Sequence, residues 1–364
     1  MKKGEYCADA FFRASLMHWN EHDNKRRMPW KGEKDPYKIW LSEIILQQTR
    51  VEQGMAYYEK FTRQYPTVAR LAAAADEQVF RLWQGLGYYN RCKNMLAAAR
   101  QVVAEYQGAF PDTYEALLNL KGIGAYTAAA IASFAYNQPH AVLDGNVYRL
   151  LSRFFGISTP IDSTEGKKYF HRLSQELLDR QQPARYNQAI MDFGAIVCKP
   201  QQPVCTACPL AAKCSAFLSQ RVSGLPVKSK KKEVRSRYFH YLVLQYRDRF
   251  YIRQRTDKDI WQQLHEFYLV EAGKELSAKA LQEQPVVRSL LRGTAATWHS
   301  PVAYRHQLTH QTLHTLFFPI TLLHAPKSLE DYKLLSLQQL QDHALPRLLE
   351  KYVQEHLLKT IPAK

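Results

Sequence analysis

The sequence predicts a mainly helical N-terminal domain, a basic linker and a smaller α+β C-terminal domain. Up to about Gln220 the apolar residues recur at helical spacing, whereas from Tyr238 onward they form runs of aromatic and β-branched residues typical of strands. Between them lies a segment of Gly, Pro, Lys and Arg, as in an exposed connection. Because single hydrophobic cores stop growing at roughly 250–300 residues, the 364 residues are expected to form domains 1–220 and 238–364, joined by linker 221–237.

In the first domain, Gly, Pro and Asn separate the helical segments. Asp35-Pro36 supplies an N-cap and a first-turn proline for a helix that carries Trp40 and Ile44. Further helices are predicted over 76–83, 91–106, 113–119, 125–136, 145–155, 167–180 and 185–197.

In the second domain, strands are predicted over 238–246 and 250–255, and the short turn 247–249 between them indicates a hairpin. A third strand is predicted over 313–323 and a helix over 334–358. The sequence contains no internal repeat and no low-complexity tract.

The charge points to a polyanionic partner. The 50 Lys and Arg residues outnumber the 33 Asp and Glu residues, for a net charge of +17, which favours nucleic acid or an acidic membrane surface. The most apolar run, 125–136, is shorter than the roughly 20 residues of a membrane-spanning helix. The basic N-terminus has no apolar segment of a secretory signal behind it. With 46% hydrophobic residues, a mainly disordered chain is excluded, and we expect a cytoplasmic protein.

A cysteine cluster predicts a metal site. Cys198, Cys205, Cys208 and Cys214 lie within 17 positions, which indicates metal ligation in a reducing compartment instead of a disulfide framework. Four thiolates suit either a [4Fe–4S] cluster or a structural Zn²⁺, and the residues leave both open.

Two glycines and an aspartate form a second pattern. Gly122 and Gly124 permit a tight turn between two helices and the close approach of a phosphate, which the amide groups opening the next helix would face. Downstream, Asp144 precedes a helix from Gly145, and by itself it is most simply an N-cap.

Together, the hairpin 120–124, the aspartate and the cysteine spacing resemble the helix–hairpin–helix-Gly/Pro-Asp (endonuclease III) superfamily of DNA glycosylases. Across nearly all of the chain the sequence is similar to the MutY-type adenine DNA glycosylases of this superfamily. The resemblance implies a helix–hairpin–helix glycosylase domain with a [4Fe–4S] loop over 198–214, followed by a Nudix-like domain. It further implies excision, in base excision repair, of adenine mispaired with 8-oxoguanine or guanine in double-stranded DNA.

The catalytic residues implied by the resemblance are Glu43, Asp144, Tyr126 and Asn146. Glu43 would protonate adenine N7; its helix is apolar on both sides, which predicts burial and a raised pKa, although a surface or ion-paired Glu is the commoner fate. Asp144 would stabilise an oxocarbenium-like sugar, and Tyr126 and Asn146 would orient Asp144 or the water. Endonuclease III-type enzymes carry a Schiff-base lysine at the position of Tyr126, so a monofunctional enzyme is expected.

The resemblance also implies a set of DNA-contacting residues. Gln188 would read the adenine edge, although an ordinary polar helix residue is the local alternative, and Gln48 and Tyr88 would wedge into the duplex. Trp30 would line the adenine pocket or the core, and Lys31 stands where the family often has Arg. The remaining expected contacts are Thr49, Leu86, Gly122 and Gly124.

In the C-terminal domain, no run of glutamates suited to Mg²⁺ follows the segment 261–267, so the Nudix-like domain is expected to bind without hydrolysing. Leu308, Thr309 and His310 align with the family's lesion-reading loop, usually Phe-Ser-His, and lack its aromatic residue. They are the expected 8-oxoguanine contacts.

Two alternatives remain open at this point. One is an endonuclease III-type glycosylase/lyase acting on oxidised pyrimidines, against which Tyr126 and the extra domain speak; the other is a non-enzymatic, DNA-binding cluster module. We further expect a monomer of bacterial type, associated with the nucleoid and not with a membrane.

Overall fold

The computed structural model describes residues 3–229, 234–308, 310–326 and 328–359. Its contacts divide the chain into two units. Unit 1 comprises Met1–Ala73 and Lys93–Lys230, and unit 2 comprises Ala74–Cys92 and Lys231–Lys364. The assignment of 74–92 to the second unit was not anticipated from the sequence, which treats the first 220 residues as one domain.

The first part of the chain is helical, as predicted. Its helices are α1 (Lys3–His22), α2 (Pro36–Leu46), α3 (Val51–Gln64), α4 (Val68–Ala72), α5 (Asp76–Trp83), α6 (Asn90–Tyr106), α7 (Tyr114–Leu118), α8 (Ala125–Tyr136), α9 (Gly145–Phe155), α10 (Thr164–Leu177), α11 (Pro183–Ile196) and α12 (Ser215–Leu218). Helices α5, α8 and α9 have the predicted bounds. Helices α1, α3, α4 and α12 were not predicted, although Phe12, Leu16 and Trp19 bury one face of α1 at helical spacing.

The core of unit 1 joins α1, α8, α9, α10 and α11. Its aromatic centre contains Phe12, Trp19, Phe154 and Phe193, with the rings of Trp19 and Phe193 edge to face at 4.8 Å between centroids. Helix α8 packs against α2 and α11 and is apolar nearly all round, as expected for a helix buried on several sides. These helices form the rigid support for the cavity described below.

The predicted linker 221–237 is only partly a free connection. Val222–Gly224 forms a 3-10 turn, and Leu225 is buried, with its carbonyl accepting a hydrogen bond from Arg153 Nε at 3.0 Å. The start of this segment is therefore folded onto unit 1, because the Leu225 side chain is buried there and the Leu225 carbonyl pairs with the buried Arg153 guanidinium. Residues 230–233, with three of the linker lysines, lie outside the described residues, and Arg235 already begins a strand.

Unit 2 is built on a mixed sheet. Its strands are β1 (Arg235–Tyr246), β2 (Arg249–Gln254), β3 (His265–Glu266), β4 (Tyr268–Ala272), β5 (Ala296–Trp298), β6 (Val302–Gln307), β7 (Gln311–Leu322) and β8 (Lys333–Ser336). The predicted hairpin is confirmed by the antiparallel pairing of β1 with β2, in which Tyr246 lies opposite Arg249. Strand β1 also pairs in parallel with β7 along its whole length, from Arg235 opposite Gln311.

The predicted helix 334–358 is wrong at its start and is interrupted, although 337–340 and 347–357 are helical. Residues Lys333–Ser336 form β8, because Leu335 packs on one face of the sheet and Leu334 on the other, the alternation of a strand. A capping box between Ser336 and Gln339 then begins a short helix. The helices of unit 2 after the first strands are α13 (Ala278–Gln282), α14 (Pro285–Leu290), α15 (Leu337–Leu340) and α16 (Arg347–Tyr352), the last continuing into a π-helical turn, Val353–Leu357.

A buried ion pair lies beside the core of unit 2. Glu266 is fully buried and accepts a hydrogen bond from the buried Arg255, while Arg253 lies 3.4 Å from its other oxygen. Removing one member of such a pair leaves an uncompensated buried charge, which costs far more than losing a surface ion pair.

We therefore expect Glu266→Gln to lower the free energy of unfolding of unit 2 by about 3–5 kcal/mol. The matched control is Glu271→Gln, which removes a partly exposed carboxylate paired with Arg237 and should cost about 1 kcal/mol or less. Urea unfolding followed by circular dichroism measures both. Equal losses in the two variants would contradict the assignment of Glu266 as the buried counter-ion.

Candidate active site

A cavity of about 870 Å³ lies in unit 1. Its walls come from the loop before α2, from α2 and the residues after it, and from α8, α11 and the start of α9. Among the residues predicted from the sequence, nine line it: Trp30, Lys31, Glu43, Gln48, Thr49, Tyr126, Asp144, Asn146 and Gln188. The fold thus brings together side chains that are up to 158 positions apart in the sequence, from Trp30 to Gln188.

Glu43 lies on α2 and is only 7% exposed. It is buried because the rest of this helix is apolar, with Trp40, Ile44 and Ile45 in the core on either side. Its Oε2 accepts a hydrogen bond of 2.6 Å from the Tyr126 hydroxyl. Burial raises the pKa of Glu43 to about 7, against the lowering effect of the Tyr126 hydrogen bond and with a further raising effect of the Asp144 charge. A carboxyl group with this pKa retains a proton on a substantial fraction of molecules at neutral pH.

Asp144 is the N-cap of α9, so the simplest interpretation of its sequence position is confirmed. Its Oδ1 accepts a hydrogen bond of 2.8 Å from the Val147 amide, and its Oδ2 accepts one of 2.7 Å from Asn146 Nδ2. Burial raises the pKa of Asp144, while these two donors and Arg149 oppose the rise by favouring the carboxylate. Both oxygens are held, so the carboxylate has a fixed orientation at the cavity wall.

A second layer of contacts holds Asn146. Arg149 Nη2 donates to Asn146 Oδ1 at 2.9 Å and to the Gly194 carbonyl, and its Nε donates to the Cys198 carbonyl at 2.8 Å. Gly194 allows α11 to approach closely, since a Cβ there would lie 2.7 Å from Asn146 Cβ. Neither Arg149 nor Gly194 was predicted as a site residue. The one signal for Arg149 is its position among the apolar residues of the amphipathic helix α9.

A buried carboxylate organises the loop before α2. Asp192 on α11 is fully buried and accepts hydrogen bonds from Arg26 at 2.8 Å, Asn24 at 2.9 Å and Lys31 at 3.0 Å. Lys31, an expected DNA contact, is therefore held in an ion pair within the protein, and its Nζ also donates to the Arg26 carbonyl. Asp192 and Arg26 were missed, although an Asp among the apolar residues of α11 is a signal for a buried pair.

The other predicted residues of the cavity differ in exposure. Gln188 is half-buried, and within the described chain its side-chain amide has no hydrogen-bond partner. Trp30 is half-buried and packs edge-on against Tyr58, with 5.4 Å between ring centroids. Gln48 is exposed and adopts a φ of 57°, an uncommon value for a residue other than glycine. Its side chain projects from the turn that ends α2.

The two hairpin glycines between α7 and α8 have different local requirements. Gly122 has a φ of +76°, and a Cβ on it would lie 2.6 Å from Asn94 Cβ, so the fold itself requires glycine there. Gly124 precedes α8 with an ordinary φ of −97°, and a Cβ on it would meet nothing within 4 Å. The backbone at Gly124 is therefore open to an approaching ligand.

The segment that carries Leu86 and Tyr88 belongs to unit 2. Leu86 is buried, whereas Tyr88 is 48% exposed and has a φ of 47°. The Arg91 guanidinium lies over the Tyr88 ring at 5.5 Å and over the Trp83 ring at 5.1 Å. The Tyr88 ring is therefore packed against Arg91 and partly exposed to solvent.

The four predicted cysteine ligands, Cys198, Cys205, Cys208 and Cys214, line one small apolar cavity together with Arg153. Arg153 Nη1 lies 3.5 Å from Cys198 Sγ. Burial raises the pKa of Cys208 to about 11, and the charges of the neighbouring thiolates raise it further.

In unit 2, Leu308 and His310 lie between the end of β6 and the start of β7. Leu308 is half-buried against the core that contains Phe239, and its amide donates to the Gln311 carbonyl at 2.8 Å. His310 is exposed, and Thr309 lies outside the described residues. Over the described ranges, none of the helices is both long enough and apolar enough to cross a membrane.

Comparison with known families identifies two family matches along the chain. The family described as HhH-GPD superfamily base excision DNA repair protein matches residues 41–180, and the NUDIX domain matches residues 240–355. Among solved structures, a thermostable thymine-DNA glycosylase aligns with a TM-score of 0.56 and 28% identity, over 60% of this chain and 100% of its own. A trapped endonuclease III–DNA covalent intermediate aligns with a TM-score of 0.51 and 20% identity, over 58% of this chain and 98% of its own. The predicted fold class is confirmed.

Curated adenine DNA glycosylases are similar to this chain over much of its length. The adenine DNA glycosylase of Buchnera aphidicola subsp. Acyrthosiphon pisum (strain APS) is 31% identical over 303 residues, which are 83% of this chain and 84% of that protein. The adenine DNA glycosylase of Homo sapiens is 42% identical over 214 residues, 56% of this chain and 39% of that protein. The chain belongs to the MutY-type family of adenine DNA glycosylases.

Proposed function

We propose that the chain is a monofunctional adenine DNA glycosylase, which hydrolyses the N-glycosidic bond of adenine mispaired with 8-oxoguanine or guanine in duplex DNA. The observation that carries the proposal is the buried Glu43, with a pKa of about 7, on the same cavity wall as Asp144. The names of the relatives support adenine as the excised base. The fold and the +17 charge support DNA as the polymer.

Glu43 acts as the general acid. Excision requires the adenine to leave its stack and enter the cavity. Glu43 then gives its proton to N7, and the protonated base departs with the electron pair of the glycosidic bond. A carboxyl group whose pKa is near the working pH combines availability of the proton with the driving force to transfer it.

Asp144 stabilises the positive charge that develops on the sugar. The Val147 amide and Asn146 keep it ionised and oriented, so the carboxylate faces the cationic sugar without reorganising. Water adds to C1′ and loses a proton, and the products are free adenine and an abasic site. The opposed protonation states of Glu43 and Asp144 parallel the two carboxyl groups of glycoside hydrolases.

Gln188 recognises the everted base. Its amide can donate to and accept from the adenine edge, and it has no competing partner in the described chain. The exposed Tyr88 and Gln48, both at positive φ, fill the space that the base leaves in the duplex. Phosphates approach the hairpin at the open backbone of Gly124.

The absence of an amine at position 126 makes the enzyme monofunctional. The Tyr126 hydroxyl donates to Glu43, and burial keeps its pKa well above the usual range, so it serves as a donor and not as a nucleophile. No Schiff base forms there, and strand cleavage needs a separate treatment with alkali.

We assign a [4Fe–4S] cluster to Cys198, Cys205, Cys208 and Cys214. The four cysteines line one small cavity, and membership of the family favours a cluster over a single zinc ion. Four neighbouring thiolates need a cationic group to remain ionised together. When bound, the cluster supplies iron–thiolate bonds that hold the loop 198–214. Arg149 connects this loop to the Asn146–Asp144 pair through the Cys198 carbonyl.

Unit 2 recognises 8-oxoguanine through the residues between β6 and β7, Leu308, Thr309 and His310, of which His310 is an exposed donor. Leu308 stands where the family has an aromatic residue and packs on the core, so recognition depends on the polar residues. Duplex DNA as substrate implies a cytoplasmic chain at the bacterial nucleoid. The chain acts as a monomer.

The decisive experiment uses a duplex with a single adenine opposite 8-oxoguanine. We expect strand cleavage at the adenine only after alkali, and none with Asp144→Asn. Cleavage without alkali, together with an adduct trapped by borohydride, would instead indicate the lyase alternative. Intact DNA binding without any release of adenine would leave a non-enzymatic binding module.

The first prediction from this site concerns Glu43→Gln. Without the acid, the single-turnover rate of adenine release should fall by about 10²–10⁴ while the Kd for DNA changes little. A duplex with 7-deazaadenine, which has no N7 to protonate, should resist the unmodified enzyme in the same way. The control is Glu33→Gln, since hydrogen bonding from the Asp35 amide lowers the pKa of Glu33, which makes it a poor acid. Equal loss in both variants contradicts the assignment.

The second prediction concerns the pH dependence. The Tyr126 hydroxyl stabilises the Glu43 carboxylate, so Tyr126→Phe should raise the pKa of Glu43 above about 7. Because the protonated form is active, the alkaline limb of the rate profile should then move to higher pH. Tyr136→Phe, on the same helix but bonded to the Phe110 carbonyl, should leave the profile in place. Single-turnover rates from weakly acid to alkaline pH test both, and a shift of the limb to lower pH would refute the role of Tyr126.

The third prediction concerns the opposing base. His310→Ala should reduce the preference for adenine opposite 8-oxoguanine over adenine opposite guanine by roughly three- to tenfold, the value of one hydrogen bond of about 0.5–1.5 kcal/mol. His324→Ala, another exposed histidine of unit 2, should preserve the preference. The ratio of kcat/KM for the two mispairs is the measurement, and an unchanged ratio in His310→Ala would remove this residue from lesion recognition.

A further inference from the structure

A cluster of three potential metal ligands lies in unit 2, apart from the cavity and the cysteine loop. It consists of Glu77 on α5, His265 at the start of β3 and His343 in the segment before α16. Each offers one ligand atom, and the three atoms lie within 4.8 Å of one another. It is the group of three potential metal ligands found at this spacing among the described residues. None of its members was predicted as a site residue, and none has a part in the proposed function.

A ring nitrogen of His265 has no hydrogen-bond partner in the part of the chain that the structure describes, which indicates a ligand bound at this cluster. Its side chain is almost completely buried, at 4% exposure, and its Nδ1 has no hydrogen-bond partner among the described residues. Buried imidazole nitrogens are nearly always paired with a donor, an acceptor or a metal. An ion pair between Glu77 and His343 alone does not account for this nitrogen.

The other two ligands give the cluster an opening to solvent. Glu77 Oε1 contacts His343 Nδ1, and their side chains are 50% and 14% exposed. The rings of His265 and His343 lie 4.4 Å apart between centroids. An ion can therefore reach the cluster through the half-exposed Glu77, whereas His265 is buried.

We propose that Glu77, His265 and His343 bind a divalent transition-metal ion, for which Zn²⁺ is the best match. Two imidazoles and one carboxylate are ligands that zinc accepts at about 2.0–2.2 Å, with a water molecule completing the four-coordinate site. Neutral imidazole nitrogens and a carboxylate suit zinc better than the hard cations Mg²⁺ and Ca²⁺, which prefer oxygen ligands.

The ion would join residues distant in sequence. It links α5 to the β3 and α16 regions of unit 2. Two further polar contacts of this segment with the C-terminal part of unit 2 are an Arg81–Asp342 ion pair, with both side chains more than half exposed, and a 3.4 Å hydrogen bond from the Tyr89 hydroxyl to the Leu345 carbonyl. Helix α5 leads directly into the segment with Tyr88. A bound ion would thereby stabilise the position of Tyr88 for contact with DNA. This role of the ion rests on the proposed function, whereas the metal site itself does not.

The test is a titration of Zn²⁺ alone into the full-length protein with its cysteine cluster loaded. We expect one saturable site, weakened at least tenfold in Glu77→Gln and in His343→Ala. Asp342→Asn, beside His343 but outside the ligand set, removes the α5 ion pair and should bind as the unmodified protein does. Zn²⁺ should also raise the Tm of the unmodified protein and leave that of His343→Ala unchanged.

Difference absorption with Co²⁺ in place of Zn²⁺ identifies the ligands, because nitrogen and oxygen ligation lacks the intense thiolate band of a cysteine site. Equal affinity in all variants, no saturable site, or a thiolate band would each overturn the proposal. Circular dichroism shows whether the variants fold. Adenine release from the mispair duplex is assayed separately, so failure of metal binding and failure of the proposed function are distinguishable.

Discussion

The burial of Glu43 against apolar neighbours is the constraint on which the site depends. A carboxyl group in water would be ionised at neutral pH and could not protonate a base. On α2 it is surrounded by Ile44, Ile45 and Trp40, so loss of hydration favours its neutral form. The Tyr126 hydroxyl partly reverses that effect, which brings the pKa back to about 7 instead of leaving the proton permanently bound. The core of unit 1 therefore has a chemical as well as a structural role.

Asp144 shows the opposite solution with the same functional group. It begins a helix, and its oxygens accept from a backbone amide and from Asn146, so the environment supplies the donors that a carboxylate needs. The interpretation of Asp144 as an N-cap and the proposal of a catalytic role describe the same geometry, since the bonds that start α9 also aim the carboxylate.

Much of unit 1 could be predicted because its signals are local. Asp35-Pro36 begins α2, α8 is a continuous apolar run that ends at Asn137, and α9 is an amphipathic helix that ends at Gly156. The non-local contacts could not be predicted: Asp192 with Lys31, Arg149 with the Cys198 carbonyl, and Gly194 against Asn146 depend on how the helices pack. In unit 2, Leu334 and Leu335 read as helical because two adjacent leucines fit either period. These residues form a strand because β8 pairs with β2 in the sheet, whose two faces carry two different hydrophobic cores. Leu335 packs in one core and Leu334 in the other.

The membership of 74–92 in unit 2 has a consequence for dissecting the chain. Val79, Phe80 and Trp83 of helix α5 are buried, and the Tyr89 hydroxyl donates a hydrogen bond to the Leu345 carbonyl. A truncated chain that ends at residue 229 would retain this segment and lose Asp342 and the Leu345 carbonyl, with which Arg81 and Tyr89 pair. A cut in the basic linker would therefore divide unit 2, because the two halves of the sequence do not coincide with the two units.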